Sequence, residues 1–180
     1  KEEDIFTFGI SKVKKSDFDF AKKMGYSIRL LAKSQLSDGN INISVIPTFI
    51  EDTFFSKTYE ATNAVKVWGE NFSSYEFKGP GAGKLETGQA VVRDLLRVLS
   101  KREIKTFYDN SNSYPVGNNI KNRFYIRTMK VTTSLNDLIE SEEIKDNEHF
   151  IISKKVRLDQ VKESIYDLDE VFIAEIEEDI

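Results

Sequence analysis

The chain of 180 residues predicts an α+β fold. An antiparallel or mixed sheet with helices on one face spans residues 1–102, a linker spans 103–121, and a small β-α-β-β-α-β unit spans 122–180. Three observations predict it. Short runs of alternating apolar residues, separated by turn residues, dominate residues 26–78. Two stretches with apolar residues at helical spacing flank these runs. Beyond them, TFYDNSNSYPVGNN has the Asn-, Ser-, Gly- and Pro-rich, aperiodic composition of a loop or linker.

The elements follow in order. Ser16 with Asp19 three residues on makes a capping-box pattern, Phe20 and Met24 share a face, and Gly25 suits a helix end, which predicts a helix over 16–24. Tyr26, Ile28 and Leu30 alternate, SDGN (37–40) is a turn, and Ile41, Ile43 and Val45 alternate again, so an antiparallel hairpin follows. Pro47 is placed at the end of its strand, because it has no N–H for a central ladder. NAVKVWG and FSSYEFK predict two more strands across the turn GEN. After GPGAG, Thr87 is the expected cap of a helix whose stripe is Val92, Leu95, Leu96 and Leu99. RFYIRTMKV, SLNDLIES, a short strand near 142–145, HFIISK, LDQVKESIYDL and EVFIAEIEE complete the β-α-β-β-α-β order.

Composition excludes several chemistries. With no Cys and one His (His149), disulfides, thiolate nucleophiles and multi-His metal centres are excluded, and no metal site is expected. No apolar run approaches the ~18 residues of a membrane span. The start KEEDIFTFGI is too acidic for a signal peptide, so a cytoplasmic protein with no membrane partner is expected. Residues 1–134 carry a net charge of +6 and residues 135–180 a net charge of −10. The cations are scattered rather than clustered, so no nucleic-acid partner is expected.

GPGAGKLETG (79–88) is the most informative segment. Its glycines let main chain approach a ligand, and the following helix offers unpaired N–H groups suited to a pyrophosphate or a nicotinamide amide. A tight strand-to-helix turn is the competing reading. A P-loop is excluded because Lys78 stands where its first Gly belongs and Leu85 where its hydroxyl belongs. A complete G-x-G-x-x-G is excluded by Lys84 and Glu86. Asp17 and Asp19 suit the start of a helix, with acid–base work as the weaker alternative. Arg29 reads as the polar face of a strand, with bidentate binding of a carboxylate as the weaker alternative. Asn63 and Glu60 read as turn residues before a strand, with substrate contact as the weaker alternative, Trp68 as core or interface packing, and His149 as a strand start without a catalytic neighbour.

FGI, SDFDFAKKMGYSIRLLA, SVIPTFI, NAVKVWG and FKGPGAGKLETGQAVVRDLL resemble consecutive blocks of the homoserine dehydrogenase family across about residues 8–100. The resemblance implies an NAD- or NADP-dependent oxidoreductase interconverting L-homoserine and L-aspartate 4-semialdehyde on the route to threonine and methionine. It implies that Gly79, Pro80, Gly81, Ala82 and Gly83 contact the cofactor, with Thr87 as the helix cap, and that the sheet mediates a homodimer. In the family, a nucleotide-binding domain and a D-x-x-G-x-D-A-x-x-K segment with the catalytic Asp and Lys precede these blocks. Neither pattern occurs within the 180 residues, so no catalytic residue is expected here and this stretch alone is expected to be inactive. Residues 122–180 would correspond to a degenerate ACT-like regulatory domain. A separate amino-acid-sensing module, or a dimerisation scaffold without a ligand, is the alternative.

Overall fold

The computed structural model describes residues 5–51, 54–100, 114–117 and 119–177. The elements are β1 (Phe6–Thr7), α1 (Lys15–Lys23), β2 (Ser27–Ser37), β3 (Asn40–Ile50), β4 (Thr62–Gly69), β5 (Phe72–Pro80) and α2 (Lys84–Leu99). They continue with β6 (Lys121–Thr128), α3 (Thr133–Asn136), β7 (Ile139–Lys145), β8 (Glu148–Ser153), β9 (Val156–Arg157), α4 (Leu158–Ser164) and β10 (Phe172–Ile176). The chain is a mixed α/β protein with a mixed sheet and few helices, and it divides into two compact units. One joins Lys1–Asp52 to Ser113–Ile180, and the other is Thr53–Asn112.

In the larger unit, β2 and β3 pair antiparallel from Ser27↔Ile50 to Ser37↔Asn40. Asp38 and Gly39 both take positive φ (49° and 72°). That is the mirror-image turn whose twist matches the strands it joins. Along the other side of β3, β1 pairs in parallel at Ser44 and Val45, and β10 pairs in parallel at Thr48 and Phe49. The sheet then continues antiparallel through β6, β8 and β7. Pro47 lies inside β3, opposite Leu30, and not at its end as expected. Val45 O accepts from Phe8 N and Phe49 O from Glu177 N. By strand alternation, the side of Pro47 that lacks an N–H therefore falls in the gap between β1 and β10, where no ladder bond is lost.

The core has two layers. Ile46, Phe124, Ile126, Ile151 and Ile173 pack with Leu135 of α3 and Val161 of α4. On the opposite face, Phe49, Tyr125, Phe150, Phe172 and Ala174 pack with Ala21 of α1. Helices thus cover both faces, where the sequence predicts one. The reason is that β6, β8 and β10 have consecutive buried residues, and such strands need cover on both sides.

The expected division of the chain changes too. Residues from 121 onward keep the β-α-β-β-α-β order, with β9 added, but β10 is hydrogen-bonded to β3 as well as to β6. The tail therefore completes the first sheet, and the inserted unit is Thr53–Asn112. Most of the expected linker over 103–121 lies outside the described residues. Its described part is tied down: Ile41 N donates to Pro115 O, and Gly117 N donates to Ile41 O, both at 2.9 Å. Asn42 Nδ2 donates to Asn119 Oδ1 (2.9 Å) while Asn119 N donates back to Asn42 Oδ1 (3.2 Å). The helix expected over 134–141 stops at Asn136, because Ile139 and Ser141 already pair with β8.

In the smaller unit, β4 and β5 form a ribbon with Val65 opposite Phe77 and Val67 opposite Tyr75, all four exposed. No residue of α2 is buried, and its apolar stripe is open within the unit. Among the described residues, no helix is long and apolar enough to cross a membrane.

Candidate functional site: the glycine turn and a buried ionic cluster

The end of β5 presents the glycine turn. Thr62 pairs with Pro80 and Asn63 with Gly79, and Gly81 N donates to Ala61 O at 2.7 Å. Its three glycines serve different needs. Gly83 has φ of +144° and is the N-cap of α2, a conformation that side-chain-bearing residues rarely adopt. At Gly81 a Cβ would collide with the amide of Asn63. At Gly79 neither reason holds: φ is not positive, and nothing among the described residues lies within 4 Å of where a Cβ would stand. Gly79 borders a groove of about 470 Å3, together with Asn63, Glu76, Phe77, Lys78 and Pro80.

Thr87 is not the cap. The helix begins at Lys84, and Thr87 N already donates to Gly83 O in its first turn (3.1 Å). Glu86, three residues into the helix, places its carboxylate where a side chain on Gly83 would be. Lys78 turns its ammonium to Lys57 O and over the Phe54 ring, 5.8 Å from the centroid. The strand runs further than the expected FSSYEFK: Gly79 and Pro80 end β5, and Ala82 and Gly83 lead into α2.

Sequence reasoning missed a second feature. The Asp17 carboxylate is fully buried and accepts four hydrogen bonds. Oδ1 takes them from Tyr125 OH (2.7 Å) and Arg127 Nε (2.8 Å), and Oδ2 from Lys14 N (2.6 Å) and Arg127 Nη2 (3.3 Å). Arg127 also donates to Lys12 O (2.8 Å) and Glu148 Oε1 (3.2 Å), and Glu148 pairs with Lys14 (2.8 Å). With its lone-pair directions filled, Asp17 has no place for a substrate proton, which removes the acid–base alternative for this residue. The Ser16–Asp19 box does not form: the helix begins at Lys15, and Asp17 Oδ2 accepts from Lys14 N, half of a capping box, since the Lys14 ammonium has no acceptor to complete it.

Burial opposes the charge on Arg127, yet the hydrogen bond and charge of Asp17, with Glu148, hold the guanidinium above its ordinary value. Burial and the Asp17 carboxylate push the Tyr125 phenol far up. Burial raises the Glu148 carboxyl, but Lys14 and Arg127 outweigh it and hold it below the ordinary range. A depressed carboxyl contributes stability above its unfolded value, about 4.3. That contribution is lost as pH falls through the lower folded value. Urea midpoints measured from pH 7 to pH 3 should therefore fall more steeply in the parent than in Glu148→Gln.

The other candidates are structural. His149 Nδ1 lies 2.6 Å from Glu142 Oε1, Arg29 Nη1 donates to Ile28 O (3.0 Å), and Glu60 occupies a positive-φ turn position.

Fold and turn together define a mixed α/β protein with a glycine-rich strand-to-helix connection beside an open groove. Residues 1–96 match the family model for homoserine dehydrogenase. The homoserine dehydrogenase of Bacillus subtilis is 36% identical over 103 residues, 57% of this chain and 24% of that protein. The NAD(+)-dependent homoserine dehydrogenase of Pseudomonas canavaninivorans is 31% identical over 97 residues, 53% of this chain and 28% of that protein. The crystal structure of a homoserine dehydrogenase from Thiobacillus denitrificans superimposes with a TM-score of 0.74 at 21% identity. It covers 99% of this chain and 48% of that one, and shows the shared fold. The chain belongs to the homoserine dehydrogenase family. It spans about a quarter of the length of the curated relatives and about half that of the solved structures.

Proposed function

We propose that the chain provides the substrate-side sheet, the cofactor-facing glycine turn and an ACT-like regulatory unit of a homoserine dehydrogenase. The reaction is the interconversion of L-homoserine and L-aspartate 4-semialdehyde, with NAD or NADP supplying the hydride chemistry when bound. One observation carries this reading. Gly79 lacks a side chain where neither backbone conformation nor neighbouring atoms require it, and it faces a groove, which suits close approach of a ligand to main chain. Pro80 and Ala82 shape the turn, Gly81 is tied to Ala61 O, and Gly83 starts α2, whose first N–H groups have no partner within the helix. The work of these residues is binding and orientation, and proton transfer is assigned to no residue of this stretch.

In the full-length enzyme, Gly79→Val should raise the KM for the nucleotide about tenfold while leaving kcat within a factor of about two. Steady-state assays of homoserine oxidation with NAD and NADP make the comparison. An unchanged nucleotide KM removes the turn from the cofactor site. The 180-residue chain alone should show no turnover. If it binds threonine in calorimetry but the full-length protein has no affinity for nucleotide, the sensing-module reading replaces this one.

The homodimer belongs to the same proposal. Val65, Val67, Tyr75 and Phe77 form one exposed apolar face of the β4–β5 ribbon, and a second copy of that face would cover it symmetrically. Phe77→Glu should shift the protein from dimer to monomer in light scattering. A dimer of unchanged affinity would place the interface elsewhere.

A further inference from the structure

Gly81 needs a reason to be glycine that backbone conformation does not provide, since its φ lies outside the left-handed region where Gly25, Gly39 and Gly83 are found. The reason is a side chain from the neighbouring strand. A Cβ at position 81 would stand 2.0 Å from Asn63 Nδ2, 2.1 Å from its Cγ and 2.4 Å from its Oδ1. The whole amide of Asn63 thus occupies the volume that a side chain at 81 would fill.

Strand register explains how it gets there. Asn63 stands directly opposite Gly79 in the β4–β5 ladder, so Gly81 is its diagonal neighbour two residues along. The turn is consequently attached to the start of β4 at two points, by the Gly81 N–H on Ala61 O and by the Asn63 amide on the Gly81 α-carbon. The amide makes no hydrogen bond to any other described residue, so its contribution within the chain is one of shape. It also lines the groove beside Lys78, Gly79 and Pro80.

We propose that Asn63 is a positioning residue for the nucleotide site: packed on Gly81, it holds the glycine turn in the shape that presents Gly79 to the cofactor. This rests on the assignment of the turn to the cofactor, and it makes position 81 glycine for the sake of Asn63. Two measurements test it in the full-length protein. Hydrogen exchange reads the lock directly, and Asn63→Ala should speed exchange of the Gly81 amide about tenfold while leaving the β4–β5 ladder amides unchanged. Steady-state kinetics read its consequence. Asn63→Ala and Gly81→Ala should each raise the nucleotide KM about tenfold with kcat nearly constant.

The double variant is decisive, because removing the Asn63 amide makes room for the methyl group introduced at position 81. Asn63→Ala/Gly81→Ala should therefore have a lower nucleotide KM than Gly81→Ala alone. Losses that simply multiply, or a Gly81 amide indifferent to Asn63→Ala, would overturn the proposal. If the parent enzyme shows no nucleotide affinity while the exchange result appears as expected, the cofactor assignment fails and the packing lock stands. If nucleotide binding is normal and exchange is unaffected, the lock fails and the assignment stands.

Discussion

Replacing Arg127 with methionine will lower the free energy of unfolding by about 3–5 kcal/mol, the usual cost of leaving a buried charge without its partner. Arg127 and Asp17 are both essentially inaccessible to solvent. Without the guanidinium, the Asp17 carboxylate retains only Tyr125 OH and Lys14 N, and Lys12 O loses its donor. The loss differs from that of a surface pair, since water cannot reach the stranded carboxylate. Asp17→Leu should cost a similar amount, by stranding the guanidinium instead. The double variant should cost much less than the sum, because both charges leave the interior together. Urea unfolding of the four proteins at pH 7 measures the coupling, and strict additivity would show that the two side chains do not act as a pair. Tyr125 adds an alkaline signature. Its phenol is raised in the folded state, so its contribution is complete below the unfolded value of about 10 and is lost as pH rises beyond it. Tyr125→Phe should remove that part of the alkaline decline.

Phe49→Ala should cost about 3–5 kcal/mol through the cavity left by a fully buried ring. The ring lies 4.7 Å from that of Tyr125 and 6.0 Å from that of Tyr26, centroid to centroid. Its backbone meets Ile28 of β2 on one side and Ile176 of β10 on the other. The substitution therefore loosens the contact where the first three strands join the tail. Tyr166→Ala, at a position 84% exposed, is the matched control and should change stability by less than about 0.5 kcal/mol. Comparable losses in the two variants would mean that β3 is not central to the core.

Local features were readable in the sequence where the cause is local. The β2–β3 hairpin was legible from alternation on either side of Asp38–Gly39, because turn conformation and strand register are set within a few residues. The order of elements from β6 to β10 was legible for the same reason. Burial of Arg127 was not, since its partner Asp17 is 110 residues away in the chain, and an Arg in RFYIRT otherwise reads as solvent-facing. Nor was the seat of β10, because nothing within FIAEI says which strand will lie on each flank. At the site, the glycine-rich segment stood out, but the separate duties of Gly79, Gly81 and Gly83 depend on atoms across the hairpin. Thr87 looked like a cap because hydroxyl residues favour that position. Gly83, with its unusual φ, starts the helix earlier.

The central seat of β10 also bears on how the protein is made. β3 emerges from the ribosome with β2 as its companion, and nine further described elements are synthesised before β10, the strand that pairs beside β1 on its other flank, exists. Until then the nascent chain carries an open ladder of amides and carbonyls, the kind of surface on which chaperones and stray neighbours act. Maturation is therefore a late, long-range event, slower than the hairpin that precedes it.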